Sequence, residues 1–172
     1  MDIRAHHEPG RVEVRQANLA VQSIPYPDSH FDSVSAYDFL EHMPRVLPGT
    51  TASSTRFPFV ELMNEIWRVL VPGGRLYACT PAYPHPAAFQ DPTHVNILTR
   101  DSHLYFTRPD VLARMYGFHG DFSVLRVLPA KGGEFDYEPL DPPDFMRRYR
   151  LRRRARRAEN SHLVWEFQAH KA

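Results

Sequence analysis

At 172 residues, with 42% hydrophobic and 12% aromatic content, the chain has the size and composition of one globular domain, which excludes a disordered or fibrous protein. A formal net charge of +1 gives no general attraction to polyanions, but eight arginines crowd between Arg147 and Arg157 and leave the remainder net acidic. The lone cysteine, Cys79, excludes an internal disulfide. No apolar run reaches the ~18 residues of a membrane span and no signal peptide opens the chain, so a cytoplasmic protein is expected.

Met1 to Arg11 carries no clear element, and Arg11 to Leu19 reads weakly as a strand. Ser23 to His30 is a turn region, because the residues before Pro25 and Pro27 are pushed towards extended conformations. Phe31 to Tyr37 is a short apolar strand ending in a polar cluster, Asp38-Phe39-Leu40-Glu41-His42. After a loop, Phe59, Leu62, Met63, Ile66, Trp67 and Leu70 keep the spacing of a buried helical face, predicting a helix from Pro58 to Leu70 that exits at Gly73. Arg75 to Thr80 is a second strand, and Cys79 within it is expected to be a core thiol. Strand, crossover helix and strand make a βαβ unit with parallel neighbouring strands. Ligands sit beyond the carboxyl ends of such strands, so Tyr37 to His42 and the residues from Pro81 onward should share a functional rim.

Pro81 to Thr107 is a long connection with little periodicity, dense in prolines and aromatics, which suits an ordered functional loop. Thr107-Arg108-Pro109-Asp110 has the capping-box pattern and predicts a short helix through Val111, Leu112, Met115 and Tyr116 that ends at Gly117. Phe122 to Leu128 and Leu163 to Ala169 read as strands, the second alternating as an edge strand with one buried face does. Between them, residues 131–160 form an insertion, acidic and proline-rich first and arginine-rich afterwards.

Three ordered motifs, Ile24-Pro25-Tyr26-Pro27-Asp28-Ser29-His30-Phe31-Asp32, then Leu40-Glu41-His42, then Asn64 to Gly74, resemble the second half of class I S-adenosylmethionine-dependent methyltransferases. The resemblance implies an α/β, Rossmann-like sheet in the order 3-2-1-4-5-7-6 with the last strand antiparallel. Phe31–Tyr37 would be its fourth strand, Arg75–Thr80 the fifth, and the two later strands the sixth and seventh. It also implies S-adenosylmethionine as cofactor and methyl transfer to oxygen or nitrogen of a small molecule or glycan. The family's glycine-rich turn has no counterpart here, since Gly10 stands alone. The expectation is therefore a single domain over 1–172, incomplete at its N-terminus, with strands three to seven present, strands one and two missing, and the cofactor site half built. Its fourth strand would then expose an edge, to be covered by a partner, a dimer or strand three moving in to pair with it, unless the chain is a shortened version of a longer protein. A non-catalytic remnant or binding module is the alternative function.

In that frame Asp2 would face the cofactor's ribose, Asn18 and Leu19 its adenine, and Tyr37 and Asp38 its methyl end. His94 is the first candidate for a base that takes a proton from an acceptor hydroxyl, and His42 the second, since imidazole titrates near ~6.5. Tyr83, Asp91, Thr93 and Asn96 are candidate acceptor contacts. Glu41 reads as a turn cap or as a partner of His42. His85, Asp91 and His94 match no established metal-ligand spacing, and no metal is expected. The run from Arg147 to Arg157 is either a solvated insertion or a dock for an anionic ligand. With only Tyr149 interleaved there, nucleic acid is not expected.

Overall fold

The computed structural model describes residues 13–131, 146 and 160–171. The βαβ unit forms as its hydrophobic pattern dictates: β1 (Phe31–Tyr37), the helix α1 (Pro58–Val69) and β4 (Leu70–Pro81). Between β1 and α1 lie a single 3-10 turn, Leu40–His42, and a small hairpin of two-residue strands, β2 (Leu47–Pro48) with β3 (Thr55–Arg56). Pro58 opens α1, where a missing N–H costs nothing. Leu62, Met63 and Ile66 are buried against the sheet, while Phe59 and Trp67 are half-buried and pack on the core's margin.

Gly73 and Gly74 lie in the first part of β4, soon after the helix ends, and both are required there. Gly73 holds φ +79°, which favours a residue without Cβ. A Cβ on Gly74 would stand 2.9 Å from the Val71 carbonyl oxygen and 3.2 Å from that of Asp32. This tight passage coincides with a break in register between Phe31 and Ser33, after which Val34 pairs with Leu76 and Tyr37 with Cys79, parallel.

Two further strands complete the main sheet, β5 (Phe122–Ala130) and β6 (His162–Ala169), in the order β1-β4-β6-β5. β6 is antiparallel to both of its neighbours. This is the 4-5-7-6 half of the Rossmann-like methyltransferase order. β6 lies inside the sheet, so its alternation does not mark an edge. Leu163, Trp165, Phe167 and Ala169 are buried on one face. On the other face Glu166 is buried too, compensated by Arg126 at 3.0 Å and Arg75 at 3.3 Å. Pro129 sits in β5, at the sheet's edge, where a strand tolerates a residue without an N–H.

The weak strand expected at Arg11–Leu19 is not formed over residues 13–19. The chain instead turns at Asn18, whose carbonyl accepts from Val21 and Gln22. Among the described residues no strand pairs with the outer edge of β1. The capping box at Thr107 is also not formed. The Thr107 hydroxyl donates to the His103 carbonyl, Val111 adopts a left-handed φ of 45°, and a 3-10 helix follows over Leu112–Tyr116. Gly117 ends it in the left-handed region, as expected. The long connection is ordered, carrying a one-turn helix α2 (Ala87–Gln90) and a 3-10 turn at Ser102–Tyr105.

The Ile24–Asp28 segment is fastened to α1 by Arg68. Its guanidinium grips the Glu65 carboxylate with two bonds of 2.9 and 2.8 Å. It also donates to the carbonyls of Ile24 and Tyr26 and to Asp28. This fork holds the Glu65 carboxyl below its ordinary range. No helix among the described residues is long and apolar enough to cross a membrane.

Candidate functional site

The parallel register brings the end of β1 beside the end of β4, and the polar cluster after Tyr37 meets Thr80 and Pro81 there. Asp38 leaves the strand at φ 43°, a left-handed conformation that Asp tolerates better than most residues. Its N–H donates to the Cys79 carbonyl at 2.9 Å, and its carboxylate lies 3.1 Å from Nε2 of His162. Cys79 itself is buried, and burial first, then the charges of Asp38 and Glu41, push its thiol up to about 12. It is a core thiol.

The sharp turn out of β1 drives Glu41 inward, leaving its side chain 1% exposed. One carboxylate oxygen, Oε2, accepts the Thr80 hydroxyl at 2.7 Å; the other, Oε1, is buried without a hydrogen bond. Oε1 faces Nε2 of His42 at 3.9 Å and Nε2 of His94 at 4.0 Å. The two imidazoles meet edge to face, 4.8 Å between centroids. The loop carrying His94 is fixed on this turn by backbone bonds, with the N–H groups of Val95 and Asn96 donating to the Glu41 carbonyl. The Asn96 side-chain amide donates to the carbonyls of Leu40 and Met43. Its donors are engaged within the protein, which makes Asn96 a positioning residue here.

Thr93 and Asp91 form a second layer. The Thr93 hydroxyl donates to Asp91 Oδ1 at 2.6 Å and lies 2.9 Å from Nδ1 of His42. Those bonds from Thr93 keep the Asp91 carboxyl below its usual range. Asp38, Glu41, His42, Asp91, His94 and His162 border an open cleft of about 510 Å³, on the rim where such sheets place ligands. A second recess, about 530 Å³, runs along β1 and is walled by Val14, Leu19, Tyr26, Val34 and Tyr37 among others. Both volumes fall in the ~300–1,000 Å³ range of small-molecule sites.

Of the residues proposed for the site, the structure brings Asp38, His42, Asp91, Thr93 and His94 together around the cleft. Leu19 and Tyr37 line the recess beside β1. The Asn18 carboxamide accepts from the Ala20 N–H at 3.2 Å and closes its own turn. Tyr83 is exposed and packs edge to face on Phe89, 6.5 Å between centroids. His85 Nδ1 accepts from the Ala87 N–H and takes no part in the cluster. Asp2 and the run from Arg147 to Arg157 lie outside the described residues. Sequence reasoning passed over Glu41 as a cap and did not single out Thr80 or His162. The signal for Thr80 was its place one residue past the Tyr37–Cys79 pair, where a polar side chain in an apolar strand faces the rim.

Residues 2–78 match the family described as a methyltransferase domain. No curated protein matches the sequence significantly. Among solved structures, the [4+2]-cyclase SpnF superposes with a TM-score of 0.51 at 16% identity, covering 92% of this chain and 56% of its own. A Haloferax volcanii methyltransferase in complex with its Trm112 activator gives 0.52 at 13%, covering 91% and 61%. An S-adenosylmethionine-dependent methyltransferase from Archaeoglobus fulgidus gives 0.50 at 13%, covering 93% and 69%. The chain thus spans 56 to 61% of the length of the first two. Residues 2–78 thus match a methyltransferase-domain pattern, and the fold is the Rossmann-like one of these methyltransferase structures.

Proposed function

We propose that the cleft over Asp38, Glu41, His42 and His94 receives an oxygen or nitrogen acceptor, a small molecule or a sugar, for S-adenosylmethionine-dependent methyl transfer. S-adenosylmethionine supplies an electrophilic methyl on a sulfonium. What the protein adds is alignment of the acceptor and a group that takes its proton. The single observation carrying this reading is the convergence of two imidazoles and a buried carboxylate at the carboxyl ends of β1 and β4, directly after Tyr37. The fold alone would not carry it, because folds host unrelated chemistries. His94 and His42 both present Nε2 towards Glu41 at the cleft, so either ring is placed to act on an acceptor proton.

The described residues that would hold the cofactor are Leu19 and Tyr37, in the apolar recess along β1. Its walls fit a flat aromatic base, and among the described residues no glycine lines it. That last feature, with no described strand on the outer edge of β1, favours a second reading: a methyltransferase-like binding module without catalysis. Calorimetry of the full chain with S-adenosylmethionine separates the two. Saturable heat that weakens in Tyr37→Ala supports the enzyme reading, and no heat from well-folded protein removes it. The arginine run enters the same proposal as a dock for an anionic acceptor. The segment bearing it leaves and rejoins the described chain near Ala130 and His162, which are paired beside the cleft. Polyanion binding that does not change with salt would exclude it.

A further inference from the structure

We propose that Glu41, His42 and His94 form a binding site for one divalent transition-metal cation, with Glu41 Oε1 and the Nε2 atoms of both histidines as ligands. One potential ligand atom from each residue lies within 4.8 Å of the others. The observation that points to a ligand is Oε1 itself, a carboxylate oxygen on a side chain 99% removed from solvent with no hydrogen bond. A buried carboxylate needs either partners for both oxygens or a positive charge. Thr80 satisfies only Oε2. Among the described residues no lysine or arginine pairs with Glu41; its ion-pair partners are His42 and His94 alone.

The second layer settles which nitrogen of His42 faces the cluster as an acceptor. The Thr93 hydroxyl commits its proton to Asp91 at 2.6 Å, so at 2.9 Å it accepts from Nδ1–H of His42. In the neutral ring Nε2 is then the lone-pair nitrogen, 3.9 Å from Oε1. Two electron-pair donors then face each other across that gap. Histidines that bind metal are held this way, with the remote N–H on a hydrogen-bonded acceptor that is itself oriented by a carboxylate. The 3.9 and 4.0 Å separations close by less than about 1 Å to reach the spans set by metal–ligand bonds near 2.0–2.2 Å.

Two imidazoles and one carboxylate suit Zn²⁺, Fe²⁺, Co²⁺ or Mn²⁺ better than Ca²⁺ or Mg²⁺. With three protein ligands the remaining coordination positions open on the cleft, where water or an acceptor oxygen can occupy them and become more acidic. That last role rests on the methyl-transfer reading and, with the metal bound, takes the place of proton removal by either imidazole; the binding itself does not rest on it. The ligand pattern escaped spacing rules because Glu41 and His42 are adjacent while His94 comes from a loop beyond the next strand.

The test uses the full chain, stripped with chelator and without S-adenosylmethionine. Co²⁺ is titrated by visible absorption and Zn²⁺ by calorimetry. One equivalent should bind saturably, with Co²⁺ d–d bands, and raise the thermal midpoint. Glu41→Gln and His94→Gln should weaken binding at least 100-fold. Thr93→Val, which touches only the second layer, should weaken it about 10–100-fold. His85→Ala should leave it unchanged. Metal-free Glu41→Gln should keep its near-ultraviolet circular dichroism and stay folded, since Oε1 has no partner to lose and the weaker Thr80 bond to a neutral amide oxygen is offset by removal of a buried charge. No saturable binding up to 1 mM, on the order of a loose surface histidine site, or binding equal in wild type, Glu41→Gln and His94→Gln, would overturn the proposal. A metal-free Glu41→Gln that unfolds would do so as well, by giving the carboxylate a structural role with a protonated histidine. None of these readouts involves the cofactor, so failure here leaves the methyl-transfer reading standing.

Discussion

Thr80→Val isolates the bond that fixes the carboxylate at the centre of the cleft. Thr80 is fully buried and its hydroxyl gives Glu41 Oε2 a 2.7 Å bond in a place where water cannot substitute. Valine keeps the shape and removes the donor. A hydrogen bond to a charged group contributes about 1.5–3 kcal/mol, and here its loss leaves Glu41 with neither oxygen paired. We expect a loss of about 2–3 kcal/mol in urea unfolding of the metal-free chain, and about 4–12 °C in thermal midpoint for a domain of this size. Thr80→Ser should recover most of it. In a double-mutant cycle with Glu41→Gln, the coupling between the two positions should exceed about 1 kcal/mol. A change below about 0.5 kcal/mol for Thr80→Val, or additive behaviour in the cycle, would mean that Glu41 is not held by Thr80 and that the site's geometry has another origin.

Arg68→Ala should cost about 2–3 kcal/mol, because it strands the Glu65 carboxylate and frees Ile24–Asp28 from α1; protease cleavage within residues 22–30 would report the release. Glu65 has its carboxyl lowered from 4.5 by the Arg68 bonds, so its stabilisation is fully present above that value and is lost as pH falls through its lower folded value. The advantage of wild type over Glu65→Gln should therefore shrink only in acid below about pH 4.5, and a difference independent of pH would refute the pairing. Gly74→Ala should destabilise by about 1–3 kcal/mol through the Val71 and Asp32 carbonyls, whereas an unchanged urea midpoint would deny the tight passage in the first part of β4. Cys79, buried and with its thiol held near 12, should resist alkylation at pH 8 until the chain unfolds; rapid labelling of folded protein would contradict that burial.

Much of this arrangement was legible in the sequence because local and global signals agree. The apolar spacing of Leu62, Met63 and Ile66 set the buried face of α1. A helix between the two strands returns the chain to the same end of the sheet, so they pair parallel, and Val34 indeed lies beside Leu76. The strand order came through resemblance rather than through any pattern in the residues. What failed was decided by partners distant in sequence. Residues 13–19 have strand-like content, yet the Asn18 turn diverts them and, among the described residues, no neighbour strand captures them. Thr107 has the right side chain for a cap but donates to His103 instead. Glu41 looked like a turn residue because its partners, Thr80 and His94, come from the far side of α1 and are brought near only by the completed sheet.

The most direct test of the site's placement is an amide-resolved NMR titration of the full chain with S-adenosylmethionine. Saturable shifts should gather at the carboxyl end of β1, residues 35–42, and in the recess wall near Leu19. The amino end of the sheet, around Arg75 and Gln168, should stay still. Shifts centred on that amino end, or none at millimolar cofactor, would contradict a methyltransferase site on this rim.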